Sequence, residues 1–397
     1  MVSPPTLDGL LAWLDVAPNR ERTGNFAGLH TQAMGRVLAH LPTPPAPVTI
    51  AGTKGKGSTL HLIEAGLAAL GRSTTAFTSP HVRSVAERWR LDGREATPED
   101  LQDAQATAMA AEIAAGCPLS WFERSLALAV ILASRRPSAV FLAEVGIGGR
   151  QDAVNALDAG IAVVTHLSHD HRDVLGPTLD HIAHQKLGIA RARHPLVIAP
   201  QSPEAAAAIN RRLSAGDADG ALIMEVGRGP ALDLGLPGDH QQDNAATALA
   251  VLTLLAPGAD LGPVKAAWRD LHLPARCQRV HHRGRSLLVD GAHNGPSIAA
   301  TLQVAHQDFP QGFTLLLALA RDKEVEEILA TLPAGLAVVR CGYASPRARQ
   351  EADWPPDARA WPWYATVAEA LAAVPGPLCI TGSFYLAAEA LATLENP

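Results

Sequence analysis

The chain has 397 residues, a formal net charge of −6 and 47% hydrophobic residues. This length suits two or three domains of about 100–200 residues each. The modest acidic charge, with no basic block, argues against a nucleic-acid-binding surface. The apolar runs fall short of the about 18 residues that a membrane span needs, and the N-terminal segment lacks the basic start of a signal peptide. The sequence therefore predicts a globular protein that binds neither nucleic acid nor membrane.

The four cysteines show neither paired spacing nor the spacing of a metal site. They are Cys117, Cys277, Cys341 and Cys379. Scattered thiols of this kind are typical of proteins kept in a reducing compartment. We therefore expect a cytoplasmic protein without disulfides.

Short apolar runs alternate with longer Ala- and Leu-rich segments over the first two thirds of the chain. The first forty residues are predicted to be helical, and a proline-rich break at 41–47 precedes the first strand. The predicted strands are the β-branched run at 48–50 and residues 73–78, 138–145, 161–166 and 195–199, and the predicted helices are 58–70, 99–115, 122–135, 177–192, 241–256 and 262–271. This alternation predicts a parallel sheet covered by helices.

A second, smaller α/β unit is predicted to begin near Cys277. Its predicted strands are 286–290, 313–319, 335–341 and 377–381, its predicted helices are 295–308, 323–332, 366–373 and 384–393, and residues 353–364 are predicted to form a surface loop. Strand and helix again alternate, which is typical of a Rossmann-like unit. We therefore predict two domains, 1–278 and 279–397.

The most specific motif is the glycine-rich segment that follows the strand at 48–50. Its residues are Gly52, Thr53, Lys54, Gly55, Lys56, Gly57, Ser58 and Thr59. A glycine-rich turn before a helix brings backbone N–H groups and a positive helix end to one point, which suits a polyphosphate. Lys56 is placed to reach the outer phosphates, and Ser58 or Thr59 to bind magnesium. Gly57 separates the lysine from the hydroxyl residue, so this is a variant of the usual P-loop. The motif predicts that the chain binds ATP.

Lysine is scarce in this chain. Five of the 33 lysine and arginine residues are lysines: Lys54, Lys56, Lys186, Lys265 and Lys323. Lysine carries a compact primary amine that arginine does not replace. Two of the five lie in the phosphate loop, and Lys186 and Lys323 lie in other polar segments. The retained lysines therefore indicate positions where the chemistry requires an amine, although Lys186 taken alone would better suit a solvated helix surface.

Polar clusters follow several predicted strands, at the edge of a parallel sheet where ligands bind in open α/β folds. Glu144 ends one strand beside a glycine-rich turn, a position that suits a magnesium ligand. The segment 168–173 holds histidines and aspartates that suit a metal or a phosphate. In the second unit the corresponding turns are 290–294, 321–323 and 381–385. For each cluster taken alone, an exposed polar loop or a helix cap is the alternative.

Taken together, these motifs resemble the folylpolyglutamate synthase/dihydrofolate synthase family of the Mur ligase superfamily, nearly end to end. The motifs that carry the resemblance are the loop 52–59 and the segments 78–81, 144–150, 170–176, 185–189, 240–246, 274–276, 290–294 and 381–383. The resemblance implies an α/β fold: a Mur-ligase-like N-terminal P-loop ATPase domain with a parallel sheet, and a smaller Rossmann-like C-terminal domain that binds glutamate.

The resemblance also implies a role for each motif. Gly52, Thr53, Lys54, Gly55, Lys56, Gly57, Ser58 and Thr59, with Asn244, Arg276 and Asp290, would bind ATP; Ser58, Glu144, His171 and Lys186 would bind magnesium at two sites; Ser79, His81, Arg88 and Ser383 would bind the other substrates; and Lys56, Lys186, Asp290 and His293 would be catalytic. Lys186 matches a lysine that relatives carry as a carbamate, which converts a cation into an anionic oxygen ligand.

The implied reaction joins L-glutamate to a pterin or folate carboxylate, either dihydropteroate or a folyl-glutamate. The carboxylate attacks the γ-phosphate of ATP to give an acyl phosphate, and the glutamate amine then displaces phosphate. This chemistry requires in-line positioning, charge neutralisation and exclusion of water. The resemblance also implies a monomer that acts on small molecules.

Two alternatives stay open at this point. Val85 stands where relatives usually carry an aromatic residue, and aromatic residues make up 4% of the chain, whereas a flat pterin favours aromatic stacking. The first alternative is therefore the same ligase chemistry on a non-folate carboxylic acid. The second is a nucleotide-binding homologue without catalysis, against which the intact Glu144, His171 and Lys186 argue.

Overall fold

The computed structural model describes residues 6–23 and 31–395. Its strands form two sheets. The first sheet contains β1 (Val48–Ala51), β2 (Thr74–Phe77), β3 (Trp89–Leu91), β4 (Arg94–Glu95), β5 (Val140–Glu144), β6 (Ile161–Val164), β7 (Pro195–Ile198) and β8 (Leu222–Glu225), and the second contains β9 (Gln278–His282), β10 (Arg285–Val289), β11 (Thr314–Leu317), β12 (Ala337–Cys341), β13 (Trp363–Tyr364) and β14 (Leu378–Thr381).

Helices connect most of these strands. They are α1 (Asp8–Asp15), α2 (Arg20–Thr23), α3 (Gln32–Leu38), α4 (Lys56–Ala69), α5 (Pro98–Ala115), α6 (Trp121–Ser134), α7 (Arg172–Leu175), α8 (Leu179–Leu187), α9 (Pro203–Ser214), α10 (His240–Leu255), α11 (Gly262–Arg269), α12 (Gly295–Asp308), α13 (Val325–Leu329), α14 (Pro356–Arg359), α15 (Val367–Ala373) and α16 (Phe384–Glu395). Within the described ranges, no helix combines the length and the apolar character needed to cross a bilayer.

The first sheet has the strand order β4-β3-β2-β5-β1-β6-β7-β8. β1 lies at its centre, with Ile50 opposite Glu144 of β5 and Ala51 opposite Val164 of β6. All four residues of β1 are buried, and its β-branched side chains suit a strand covered on both faces. The strands from β2 to β8 in this order run parallel, so their carboxyl ends meet at one edge of the sheet.

The second sheet has the order β13-β12-β11-β14-β10-β9. Its strands are parallel except β9, which pairs antiparallel with β10 and places His282 opposite Arg285. The central strand β14 is buried along its whole length. The turns after β10, β11 and β14 therefore lie together at the carboxyl edge of this sheet.

Helix α4, which follows the phosphate loop, is fixed by two helices that come much later in the chain. α10 and α11 pack against it, and the indole Nε1 of the fully buried Trp268 donates to Leu62 O at 2.8 Å. Gly66 permits this close packing, because a Cβ there would lie 2.5 Å from Leu252 Cδ1. The phosphate loop is thus carried by a helix that tertiary contacts hold in place.

The predicted α/β fold is confirmed, and most predicted strands and helices appear within a few residues of their predicted ends. Strands β3, β4, β8, β9 and β13 and helices α7, α9 and α14 were not predicted from the sequence. β3 and β4 form a short hairpin, β8 is exposed and carries no alternating pattern, and β13 and α14 lie in the predicted loop 353–364. Residues 1–5 and 24–30, predicted to be helical, lie outside the described ranges.

We predict that Trp268→Ala lowers the free energy of unfolding by about 3–5 kcal/mol, because it leaves a large cavity between α4 and α11 and removes the partner of Leu62 O. Denaturant unfolding followed by circular dichroism measures this loss. Ile113→Ala is the control, since Ile113 is 79% exposed, and its effect should stay within about 0.5 kcal/mol. Equal stability of the two variants would contradict the packing described here.

Candidate active site

A cleft of about 840 Å³ lies where the carboxyl edges of the two sheets face each other. Its walls come from the phosphate loop, the turns after β2, β5 and β6, the start of α10, and the turns after β10, β11 and β14. Of the site residues predicted from the sequence, all but Thr59 line it. The structure therefore brings both sets of predicted residues, from the first and second sheets, to one place.

The phosphate loop is shaped by two close approaches that require glycine. Gly55 has φ +86°, and a Cβ there would lie 2.2 Å from Asn244 Oδ1. A Cβ at Gly52 would lie 1.8 Å from Thr165 Oγ1. The Thr53 hydroxyl donates to the Ser168 carbonyl at 3.0 Å, which ties the loop to the turn after β6. The loop then enters α4 at Lys56, so the amino end of this helix faces the cleft.

Two lysines of the cleft reach the same carbonyl oxygen. Lys56 Nζ lies 3.2 Å and Lys186 Nζ 2.9 Å from Gly52 O. Burial, with the nearby charge of Lys56, lowers the pKa of Lys186 to about 7. Burial also lowers the pKa of Lys54 to about 8, against the raising effect of Asp170. Desolvation of these lysines therefore favours either the binding of an anion beside them or the loss of a proton.

Glu144 lies beneath the phosphate loop and is 3% exposed. Its Oε2 accepts a hydrogen bond from the Ser79 amide at 3.0 Å, and burial raises the pKa of this carboxyl despite the nearby Lys56. A Cβ at Gly57 would lie 3.7 and 3.8 Å from its two oxygens, so the carboxylate faces the loop directly. Together with the neighbouring Ser58 hydroxyl, this buried oxygen set fits a magnesium ion, a hard cation.

His171 and Asp170 occupy the turn between β6 and α7. Burial lowers the pKa of His171 to about 4, against the raising effect of Asp170, so its imidazole is neutral and able to bind a metal. In the described part of the chain, no three His, Cys, Asp or Glu side chains converge as a ready-made metal site. The predicted ligands therefore fit a cation whose coordination is completed by phosphate oxygens and by Ser58 or Lys186.

Asp170 connects the two walls of the cleft. Lys323 Nζ, from the turn after β11, lies 3.4 Å from its Oδ1, and His293 Nε2, from the turn after β10, lies 3.8 Å from its Oδ2. Burial would raise the pKa of Asp170, but His293, His171 and Lys323 outweigh it and hold that pKa well below its usual range. Asp170 is thus an anion of the first sheet that pairs with Lys323 and lies beside the imidazole of His293 in the second sheet.

Asp290 also lines the cleft, and its carboxylate is held by groups of its own sheet. Oδ2 accepts from the Cys277 amide at 2.7 Å, and Oδ1 accepts from the Ala292 amide at 2.8 Å and from the Thr301 hydroxyl at 2.9 Å. Three donors of this kind fix the carboxylate and the turn that carries His293.

Two further predicted nucleotide-binding residues lie close to the phosphate loop. Asn244 Oδ1 lies 3.4 Å from the Thr59 hydroxyl, and its Nδ2 donates to Gln241 Oε1 at 2.9 Å. The guanidinium of Arg276 stacks 4.5 Å from the Phe384 ring centroid and approaches the Cβ position of Gly57 to 3.5 Å. Both side chains therefore extend the nucleotide side of the cleft beyond the loop. Thr59 itself is fully buried behind it.

Arg88, predicted to bind substrate, is 1% exposed and paired with Glu21 at 2.5 Å. Its Nε donates to His81 Nδ1 at 2.9 Å, and its guanidinium lies 4.5 Å from the Trp121 ring centroid. Burial, with the charge of Arg88, lowers the pKa of His81 to about 4. This corner of the cleft is therefore a fixed, stacked arrangement with a neutral imidazole.

Ser383 and Tyr385 line the opposite wall, after β14. Ser383 is buried, and its hydroxyl accepts from the Tyr385 amide at 3.1 Å. Tyr385 stacks against Tyr343 with an interplanar angle of 8°. Arg347 lies nearby and crosses the cleft, since its Nη1 donates to Glu21 O at 2.8 Å.

A second, smaller cavity of about 210 Å³ adjoins the cleft and shares Glu21 and Ile147 with it. Phe122 and the buried Asp152 also line this cavity. The Asp152 carboxylate accepts from the amides of Ile147 at 3.0 Å and Val154 at 2.9 Å, and burial raises its pKa to about 6. An aromatic ring beside a buried acceptor pair suits a flat heterocycle with donor groups along one edge.

Several aromatic and charged residues of the two cavities were not identified from the sequence. Trp121, Phe122, Asp152 and Arg347 belong to no motif singled out from the sequence, and Asp170 was quoted only as part of one. The capping box that opens α6 at Ser120 does mark the position of Trp121 and Phe122 in the sequence. It does not show that these rings face a ligand cavity.

Comparison with known proteins identifies relatives of this chain. No family model matches the chain. It is 32% identical over 364 residues to an Escherichia coli dihydrofolate synthase/folylpolyglutamate synthase, covering 87% of this chain and 83% of that protein. It is 33% identical over 341 residues to a probable bifunctional folylpolyglutamate synthase/dihydropteroate synthase of Haloferax volcanii, covering 78% of this chain but 40% of that longer protein.

Solved structures match the whole chain. An Escherichia coli FolC structure in complex with DHPP and ADP superposes with a TM-score of 0.83 and 26% identity, covering 99% of this chain and 98% of that one. A bifunctional folylpolyglutamate synthase/dihydrofolate synthase with Mn, AMPPNP and L-glutamate bound superposes with a TM-score of 0.80 and 25% identity, covering 99% and 98%. The chain belongs to the folylpolyglutamate synthase/dihydrofolate synthase family.

Proposed function

We propose that this protein is an ATP-dependent ligase that adds L-glutamate to a pterin or folate carboxylate, dihydropteroate or a folyl-glutamate, through an acyl phosphate. The observation that carries the proposal is the single cleft in which the phosphate loop, Glu144 and Lys186 face Asp290, His293 and Lys323. Relatives solved with ADP and DHPP, and with AMPPNP and L-glutamate, support the same three substrates here.

The phosphate loop provides the binding site for ATP. Backbone N–H groups of the loop and the amino end of α4 would bind the β- and γ-phosphates, with Lys56 at the outer phosphate. Asn244 and Arg276, which contact the loop, would hold the rest of the nucleotide. Ser58 and Glu144, with His171 and a carbamylated Lys186, would hold magnesium, which neutralises phosphate charge when bound.

The cleft residues suit both steps of the reaction. An oxygen of the acceptor carboxylate forms a bond to the γ-phosphorus while the bond to the β–γ bridging oxygen breaks, and ADP leaves. The glutamate nitrogen then bonds to the acyl carbon, phosphate leaves, and the amine loses a proton. We assign proton removal to His293 Nε2, because its Nδ1 is 3.0 Å from Gly291 O and Asp170 lies 3.8 Å from Nε2.

The smaller cavity is the proposed site for the acceptor's ring. Phe122 offers a face for stacking, and Asp152 offers a buried acceptor for a pterin's N–H edge. Because this cavity shares Glu21 and Ile147 with the cleft, an acceptor whose ring is bound there would extend its carboxylate toward the phosphate loop.

The two alternatives lose their support. The non-folate alternative rested on Val85, but Val85 is 7% exposed and buried in the core, whereas Trp121, Phe122, Phe384 and Tyr385 supply aromatic surface to the two cavities. The non-catalytic alternative would leave the convergence of Lys56, Lys186 and His293 unexplained.

We also propose a cytoplasmic monomer with domains 1–278 and 279–397. Free thiols at Cys117, Cys277, Cys341 and Cys379 support a reducing compartment. β9, which pairs with the second sheet, begins at Gln278 and so supports a boundary near that residue.

Turnover of purified protein with Mg-ATP and L-glutamate tests the function. We expect phosphate release that depends on dihydropteroate or a reduced folate, with a product heavier by one glutamyl unit in mass spectrometry. Lys56→Ala should reduce kcat by at least about 100-fold, because it removes a charge at the transferred phosphate. The exposed Lys265→Ala is the matched control and should keep full activity. ATP binding without pterin-dependent release would refute the folate assignment.

Lys186 should form a carbamate with an unusual pH dependence. The neutral amine attacks CO₂, forming an N–C bond and releasing a proton. Because the pKa of Lys186 is about 7, carbamylation releases two protons per event below pH 7 and one above. The CO₂ concentration for half-carbamylation should therefore fall about 100-fold per pH unit below 7 and about tenfold per unit above.

Carbon-13 NMR with labelled CO₂ measures this dependence, and Lys186→Ala, which should keep only a small residual turnover, lacks the signal. If the steeper dependence continued to pH 9, the amine would have an ordinary lysine pKa. If wild-type protein gave no signal at any pH, Lys186 would not be carbamylated.

Asp152→Asn should raise the KM for dihydropteroate by about tenfold and leave the KM for ATP unchanged, because it replaces one carboxylate acceptor with a donor. In wild-type protein the same KM should rise as the pH falls through about 6, where Asp152 takes up a proton. Asp158→Asn, at an exposed aspartate paired with Arg191, is the control. Steady-state kinetics from pH 5 to 8 measure both effects, and a pH-independent KM would exclude Asp152 from acceptor binding.

A further inference from the structure

Behind Lys186, on the side of α8 away from the cleft, one carboxylate joins three separate elements. Asp217, which is 8% exposed, follows α9. Its Oδ1 accepts from Arg150 Nη2 at 2.9 Å and its Oδ2 from Arg212 Nε at 2.7 Å. His184 Nδ1 lies 3.0 and 2.9 Å from the two oxygens. None of these four residues belongs to the site described above.

The partners of Asp217 are connected directly to the backbone that carries Lys186. His184 precedes Lys186 by two positions on α8, about 200° around the helix, so the two side chains point to opposite sides. The Arg150 amide donates to Gln185 O at 2.7 Å, and Arg150 Nε lies 3.4 Å from His184 O. The turn after β5 is therefore bonded to α8 one residue before Lys186.

This contact is as close as the backbone allows. A Cβ at Gly149 would lie 2.6 Å from Gln185 O and 3.1 Å from the Cα of Lys186. The neighbouring Gly148 carbonyl is 3.5 Å from Lys186 Nζ. A small separation of α8 from the Gly149 turn would therefore move the Lys186 amine away from both Gly148 O and Gly52 O.

We infer that Asp217 is a positioning residue for Lys186: by pairing with Arg150 and His184, it holds the Gly149 turn against α8 and so fixes the Lys186 amine at the Gly52 carbonyl. The inference rests on the proposed function for the part that Lys186 plays in turnover. It adds to the residues that control the cleft a carboxylate that lies on the side of α8 away from the cleft.

The charges around Asp217 explain why its loss would loosen this contact. Arg212 Nη2 lies 2.8 Å from His184 Nδ1, and Arg150 approaches the same carboxylate. Without the negative charge, two guanidinium groups and an imidazole would share a partly buried space with no anion among them. The two guanidinium groups would then repel each other, so Arg150 would move away from the cluster and from His184.

A matched pair of variants isolates this role. Asp217→Asn removes the charge at nearly constant volume. Asp180→Asn breaks the Asp180–Arg211 pair, which also joins α8 to α9 but does not touch Arg150. We expect Asp217→Asn to lower kcat about tenfold, as misplacement of a catalytic group by a fraction of an ångström does, with the KM for ATP changed less than about twofold. Asp180→Asn should leave both unchanged, and Asp217→Glu should recover part of kcat.

Hydrogen exchange gives a readout that does not depend on activity. Mass spectrometry of peptides covering 147–152 and 184–190 should show faster exchange in Asp217→Asn than in wild type, because the Arg150 amide loses its bond to Gln185 O. Asp180→Asn should exchange as wild type does. Unchanged exchange at 147–152 in Asp217→Asn would overturn the inference.

A double-mutant comparison separates positioning from general destabilisation. In a Lys186→Ala background, Asp217→Asn should reduce the residual turnover by less than about twofold, because the residue it positions is gone. A tenfold loss in both backgrounds would overturn the inference. If the wild-type protein formed no glutamyl product, the proposed function would fail instead, and the exchange data alone would decide whether Asp217 holds the turn.

Discussion

The convergence of two lysine amines on the Gly52 carbonyl is the constraint on which the rest of the site depends. Lys56 and Lys186 approach this oxygen from different elements, at 3.2 and 2.9 Å; Lys186 is buried and Lys56 half-buried. Two ammonium groups repel each other there, so the arrangement is stable when an anion joins them or when one amine gives up its proton. A polyphosphate satisfies the first condition, and the lowered pKa of Lys186 satisfies the second.

The two sheets contribute different charged groups to the cleft, and Asp170 connects the two sheets. Its carboxylate belongs to the first sheet's edge, while its neighbours, the Lys323 amine and the His293 imidazole, belong to the second. An ionic contact across a cleft in a partly dry setting is stronger than one at an open surface. The same contact draws the walls together, which favours exclusion of water from an acyl phosphate.

The features that could be predicted from the sequence are those that depend on residues close together in the chain. The phosphate loop, Glu144 and the strand pattern could be found because each depends on a few adjacent residues. Asp217 could not, because its importance comes from Arg150, His184 and Arg212, which only the fold brings to it. Trp121 and Phe122 were missed for the same reason: a helix could be predicted at 122–135, but the cavity that this helix faces could not. Strand β8 was missed because its exposed residues show no alternation.

The use of lysine and arginine follows the same physical division. Four of the five lysines line the cleft, namely Lys54, Lys56, Lys186 and Lys323, and burial changes the pKa of two of them. Arginine stays charged and offers several donors in a fixed plane. It accordingly forms the permanent ion pairs that hold the structure in place, as Arg88 does with Glu21 and Arg150 with Asp217. When a chain uses lysine rarely, its few lysines therefore indicate positions where an amine must bind phosphate or change its charge. The residues that hold these lysines in place are visible only in the structure.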